Sequence, residues 1–172
     1  MRKILLMFIV LAFISSSCEK DDICDANTPT TPRLIIDFFD ISNPGIAKSV
    51  TNLAIVGEGL SPIKFNGVSK IQVPLNTSAD ISKYSFILNY GNTDPSLIYT
   101  DLLEFNYSRS TVYVSRACGY KILFNLNNDI SLPNAFVLNN DSTASEGVWI
   151  KNITVTKYNL ESENETHLKI YF

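Results

Sequence analysis

Residues 83–90, KYSFILNY, carry the pattern that decides the fold. Aromatic or apolar side chains occupy every second position from Tyr84 to Tyr90, and polar side chains occupy the positions between them except at Ile87. Successive side chains of a strand point to opposite faces, so this alternation predicts a β-strand with one buried and one solvated face. A strand that is solvated on one face is typical of an antiparallel sheet.

The same alternation, or a short apolar run bounded by turn residues, recurs along most of the chain. Strands are predicted at residues 34–39, 50–56, 70–75, 83–90, 98–107, 111–115, 120–127, 148–157 and 167–172. Between them lie turn sequences such as Asn43-Pro44-Gly45 and Asn66-Gly67. Segment 132–143 is predicted to be a long loop, either without regular structure or with a short strand at 136–138.

About nine short strands without a convincing amphipathic helix predict an all-β fold. We expect an antiparallel β-sandwich, immunoglobulin-like, over residues 33–172 as one domain. A small β-barrel is the alternative.

The N-terminal residues 1–17 resemble a lipoprotein signal peptide. Arg2 and Lys3 precede an apolar run at 4–14, which is too short to span a bilayer, and three serines precede Cys18. In bacterial lipoproteins such a cysteine receives diacylglycerol and becomes the acylated N-terminus, so we predict lipidation at Cys18. An ordinary signal peptide with an incidental cysteine is the alternative.

Charged residues follow Cys18 directly. Glu19, Lys20, Asp21 and Asp22 resemble the surface-export signal of Bacteroidota lipoproteins, which predicts anchoring in the outer membrane facing the cell exterior. A periplasm-facing anchor is the alternative. Residues 18–32 are polar and contain proline, so they are predicted to form a lipidated, flexible tether.

Two cysteines remain once Cys18 is assigned to lipid. Cys24 and Cys118 form an even pair in an oxidising compartment, and we predict a disulfide between them. Two free buried thiols are the alternative. A metal site is disfavoured, because only His167 could join them and no ligand spacing appears.

Several pieces of the chain together resemble an uncharacterised Bacteroidota outer-membrane lipoprotein family, domain of unknown function 6452. These pieces are CEKDDICD at 18–25, TPTTPRLIIDFFD at 28–40, YVSRACGYKILF at 113–124 and ETHLKIYF at 165–172. The resemblance implies an outer-membrane lipoprotein with no assigned catalytic residue. It also supports the disulfide, because both cysteines lie in matching pieces.

The composition gives little support to catalysis or nucleic-acid binding. Without residues 1–17 the chain has 12 basic and 17 acidic residues, a net charge of −5, and no basic patch. His167, the one histidine, is expected on the exposed face of the final strand. We therefore expect no enzyme, no cofactor and no metal. Trp149 is expected in the core, whereas Tyr99, Tyr107 and Tyr113 are expected to be partly exposed.

The sequence favours a non-catalytic accessory or structural subunit. Its partners would be membrane lipid, through the acyl anchor, and an outer-membrane β-barrel assembly or transport complex. A surface ligand- or glycan-binding module is the main alternative, and a hydrolase is a weaker one. Asp141-Ser142-Thr143 resembles an acidic–hydroxyl–small O-glycosylation sequence, which makes Ser142 a candidate modification site.

Overall fold

The computed structural model describes residues 23–141 and 147–172. Cys18, the export residues Glu19 to Asp22 and Ser142 lie outside these ranges, so the corresponding predictions remain predictions. The chain divides into two compact units. Among the described residues, the first combines residues 23–28 with Val112–Lys121, and the second combines Pro29–Thr111 with residues 122–141 and 147–172.

Eleven β-strands make up the regular structure, and a 3-10 turn at Pro95–Leu97 is the only helical element in the described residues. In chain order the strands are β1 (Leu34–Phe39), β2 (Leu53–Gly57), β3 (Ile63–Phe65), β4 (Lys70–Val73), β5 (Ile81–Leu88), β6 (Tyr99–Ser115), β7 (Gly119–Leu126), β8 (Phe136–Leu138), β9 (Asn152–Val155), β10 (Asn159–Leu160) and β11 (Leu168–Tyr171). No helix in the described part of the chain is long and apolar enough to cross a membrane.

The strands form two sheets. The smaller has the order β4-β1-β11-β9, and the larger has the order β10-β7-β6-β5-β2-β3, with β8 paired to β6. The predicted all-β sandwich is confirmed. Its strand order differs from that of an immunoglobulin constant domain, in which the first two strands are neighbours in one sheet, because here β1 pairs with β4 and β11. Strands β1 and β11 run parallel, whereas β1 and β4 run antiparallel as predicted.

The core of the second unit lies between the two sheets. Alternate residues of β1, namely Leu34, Ile36 and Phe38, are fully buried against residues of the larger sheet such as Phe86 and Phe105. Burying a side chain of this kind contributes about 1.5–3 kcal/mol relative to leaving it in water. The alternation seen in the sequence thus supplies the inner faces of both sheets.

The strand count differs from the predicted nine for identifiable reasons. The two strands predicted at 98–107 and 111–115 are one continuous strand, β6, across the polar residues between them. Strands β3 and β10 were not predicted, because they have only three and two residues, which is too short to show an alternation of apolar and polar side chains. Strand β8 coincides with the short strand that was one alternative for segment 132–143.

Candidate functional site

A disulfide joins Cys24 to Cys118 within the first unit. The Cα atoms of the two cysteines are 4.9 Å apart. The predicted pairing is confirmed, and the alternative of two free thiols is wrong. The bond connects the segment that follows the predicted lipidation site to the turn between β6 and β7.

Local hydrogen bonds position both cysteines. The backbone N–H of Cys118 donates to the Ser115 hydroxyl at 3.0 Å, and Gly119 adopts a φ of +70°, a conformation that a side chain would disfavour. On the other side of the bond, the Asp25 carboxylate accepts the Asn27 N–H at 2.7 Å, an Asx turn that follows Cys24. Both ends of the disulfide therefore lie in short turns.

Exposed aromatic residues flank this disulfide. Tyr113 and Tyr120 are 58% and 69% exposed, and their rings meet edge to face with centroids 5.3 Å apart. Ile23, next to Cys24, is 82% exposed. We call Ile23, Tyr113, Arg116 and Tyr120, together with the disulfide, the hairpin surface.

A second candidate site is a groove of about 400 Å³ on the larger sheet. Val56, Leu102 and Val137 provide apolar lining, and Lys83 pairs with Glu104 across β5 and β6 at 2.7 Å. Lys83 and Glu104 thus offset each other's charge, and Glu58 adds a further carboxylate to the lining. The arrangement suits binding more than proton transfer, since an acid and a base that satisfy each other are poorly placed to act on a substrate.

Trp149 lies in the core, as predicted. It is only 6% exposed, its ring contacts Phe38 and Phe172, and its indole N–H donates to the Phe86 carbonyl at 3.0 Å. The sole tryptophan is therefore not available as a sugar-stacking platform.

The prediction that Tyr107 is partly exposed is wrong, since Tyr107 is 2% exposed. Its hydroxyl has a hydrogen bond of 2.7 Å with the Ser82 hydroxyl and donates to the Asn76 carbonyl at 2.9 Å. These two partners allow a polar phenol to be buried. Tyr99 and Tyr113 are exposed, as predicted.

A buried carboxylate that the sequence analysis did not single out organises the segment that contains Trp149. Asp101 is fully buried, and its two oxygens accept the backbone N–H groups of Val148, Trp149 and Ile150 at 2.6–2.9 Å. The amide of Asn139 adds a fourth donor at 2.8 Å. These four charge-assisted hydrogen bonds fix the backbone of residues 148–150 and the Asn139 side chain relative to β6. We assign Asp101 a structural role.

The prediction that His167 is exposed is also wrong. His167 is 1% exposed, and its Nδ1 accepts the Ile35 N–H at 3.0 Å, which requires the unprotonated form of that nitrogen. The residue precedes β11, so the alternation along that strand does not govern its direction. Burial, the largest influence, lowers the pKa of the imidazole; Glu165 and Glu163 raise it and Lys157 lowers it further.

This burial predicts a loss of stability in mild acid. The unfolded chain binds a proton at His167 below about pH 6.5, whereas the folded chain binds it only at lower pH, so unfolding gains a proton as the pH falls. We expect the free energy of unfolding, measured in urea, to decrease below pH 6.5 by up to about 1.4 kcal/mol per pH unit from this group. His167→Asn isolates the effect, because its side-chain oxygen can accept the Ile35 N–H and does not titrate. If the free energy of unfolding changed equally with pH in the wild type and H167N between pH 7.5 and 5.5, the loss of stability could not be attributed to protonation of His167.

Within residues 23–141 and 147–172, no group of three or more His, Cys, Asp or Glu side chains is arranged to hold a metal ion.

The protein therefore combines a two-sheet β-sandwich with a disulfide between Cys24 and Cys118. The chain belongs to Family of unknown function (DUF6452), whose pattern matches residues 49–172 and therefore includes Cys118. No curated protein and no solved structure matches the chain at a significant level.

Proposed function

We propose that this protein is a non-catalytic lipoprotein, anchored through Cys18 in the outer membrane with its β-sandwich facing the cell exterior. We further propose that it serves as an accessory subunit that docks on an outer-membrane β-barrel assembly or transport complex. The observation that carries the proposal is the Cys24–Cys118 disulfide. Such bonds form and persist in oxidising compartments, so the disulfide supports export from the cytoplasm.

The position of the disulfide also supports an anchoring role. Cys24 lies six residues after Cys18, so the disulfide fastens the folded chain close to the predicted lipid. One acyl chain alone gives only marginal membrane binding, whereas two or more make attachment stable. Acylation at Cys18 in the manner of bacterial lipoproteins would thus hold the protein permanently at the membrane.

Replacing the acylated cysteine tests the anchor. We expect the wild-type chain to incorporate a labelled fatty acid and to fractionate with outer membranes, and Cys18→Ser to lose both the label and the membrane association. The Cys24→Ser/Cys118→Ser variant is the matched control and should keep the label. An unlabelled wild-type chain in the soluble fraction would overturn the proposal.

The membrane face is tested separately by protease treatment of intact cells. The wild type should be digested, whereas a variant with Lys20, Asp21 and Asp22 all changed to alanine should be protected. Equal digestion of both chains would show that these residues do not direct surface export.

The docking role is tested by crosslinking in intact cells, followed by purification of the tagged chain from solubilised outer membranes. We expect a β-barrel protein to co-purify with the wild type and to be lost with C18S. Recovery of the wild-type chain alone at native abundance would contradict the accessory role.

A further inference from the structure

We propose that the hairpin surface rests in the headgroup layer of the bilayer that holds the lipid anchor, so that the protein contacts the membrane through side chains as well as through lipid. This inference rests on the proposed anchoring at Cys18 and deepens it. The hairpin surface binds a lipid surface, as the reach of the chain, the exposed side chains and the local charge indicate.

The reach of the chain confines the hairpin surface to the neighbourhood of the membrane. Cys18 and Cys24 are six residues apart, and a fully extended chain spans at most about 3.3–3.6 Å per residue, so their separation is at most about 20–22 Å. The disulfide then holds Cys118 with its Cα 4.9 Å from that of Cys24. The turn between β6 and β7 cannot move far from the bilayer surface.

The exposed side chains match the chemistry of the interface. Tyr113 and Tyr120 expose more than half of their surface, and Ile23 exposes more than four fifths. Tyrosine is enriched at membrane–water interfaces because its ring is apolar and its hydroxyl can remain hydrated. The edge-to-face contact between the two rings presents both tyrosines together.

Local charge near the anchor is close to balanced. The described residues of the first unit contain two cations, Arg116 and Lys121, and one anion, Asp25, whereas the chain as a whole has a net charge of −3. Basic side chains at an interface keep their charge in water while their stems lie against apolar groups. The acidic residues of the preceding segment 19–22 oppose binding to anionic lipid, so we assign the contact to aromatic side chains and a zwitterionic surface.

Fluorescence quenching by brominated lipid tests the contact directly. The full-length acylated protein carrying Tyr120→Trp is reconstituted into phosphatidylcholine vesicles whose acyl chains are brominated near the headgroup. We expect Y120W to lose most of its added emission relative to vesicles without bromine. Wild type provides the background, because its one tryptophan, Trp149, is buried.

Tyr158→Trp is the matched control. Tyr158 is 38% exposed, and its carbonyl accepts the N–H of Leu126, six residues along β7 from Tyr120, so its variant should be quenched no more than the wild type. Tyr113→Trp is an independent reporter that should behave as Y120W does. Quenching of Y120W and Y113W no greater than that of Y158W would overturn the inference.

Flotation of the same vesicles separates the two proposals. A wild-type chain that does not float with vesicles contradicts the anchor itself. A wild-type chain that floats while Y120W and Y113W stay unquenched contradicts only the side-chain contact. A photoreactive amino acid at position 120 that crosslinks to protein instead of lipid in native outer membranes would assign the tyrosines to a protein partner and would also overturn the inference.

Discussion

Replacing Asp101 with alanine is expected to lower the free energy of unfolding by about 3–5 kcal/mol, because each buried donor left without an acceptor costs about 1–3 kcal/mol. Three backbone N–H groups and the Asn139 amide would lose their acceptor at once. Folded domains are typically stable by about 5–15 kcal/mol, so the loss is a large fraction of the total. Urea unfolding, followed by the fluorescence of Trp149, measures it.

Two further variants separate the carboxylate from simple loss of volume. Asp101→Asn keeps the shape but turns one acceptor oxygen into a donor group, so we expect it to lose most of the same stability. Asp94→Ala is the control, since Asp94 is exposed and its carboxylate accepts hydrogen bonds from the N–H and hydroxyl of Ser96, a cap whose loss typically costs about 1 kcal/mol. A D101A variant no less stable than D94A would contradict the structural role of Asp101.

Gly147 offers an independent test of the same interaction. A Cβ atom at this position would lie 2.3 Å from Oδ1 of Asp101. The carboxylate cannot move aside freely, because its hydrogen bonds to Val148, Trp149 and Ile150 fix both oxygens. We therefore expect Gly147→Ala to destabilise the protein through Asp101, and to do so much less when Asp101 is already alanine.

Removing the disulfide is the second change with a large expected effect. The two cysteines are separated by 94 positions, and the chain-entropy model assigns a closed loop of this length about 4–5 kcal/mol. We expect Cys24→Ser/Cys118→Ser to unfold at a correspondingly lower urea concentration than the oxidised wild type. Reductant should move the wild type to the same midpoint and leave the variant unchanged.

Cys18→Ser is the control for this measurement. It removes a cysteine but leaves the Cys24–Cys118 bond intact, so its midpoint in detergent should equal that of the wild type. Equal midpoints for the oxidised wild type and the double serine variant would show that the bond adds no thermodynamic constraint.

Most of the sheet architecture could be predicted from side-chain alternation. Strand β1 occupies the predicted range, 34–39, because its apolar side chains face the core at every second position. The continuity of β6 could not be predicted from that pattern, because its middle is polar and held by contacts distant in sequence. Arg109 there pairs with Asp80 at 2.6 Å and donates to the Thr77 carbonyl at 2.6 Å.

The candidate site was only partly accessible from the sequence. The cysteine pairing could be predicted by counting the cysteines that remain once Cys18 is assigned to lipid, whereas the contact of Tyr113 with Tyr120 depends on strand pairing. The burial of Asp101 could have been predicted. Asp101 lies two positions before Leu103 and four before Phe105, so all three side chains point to the buried face of the strand, and a carboxylate at such a position indicates a buried hydrogen-bond acceptor. The burial of His167 could not be predicted from the sequence, because His167 lies just before β11 and does not follow the alternation of that strand.

The parallel pairing of β1 with β11 constrains the order of folding. Ile36 lies opposite Leu168, a partner 132 residues later, so the middle of the smaller sheet can form only after nearly all of the described chain is available. Contacts so remote in sequence slow folding, because the entropy of closing the intervening loop must be lost before the pairing stabilises the sheet. Until β11 is available, one edge of β1 keeps unpaired backbone groups, and the incompletely folded chain is most open to aggregation or chaperone capture at that edge.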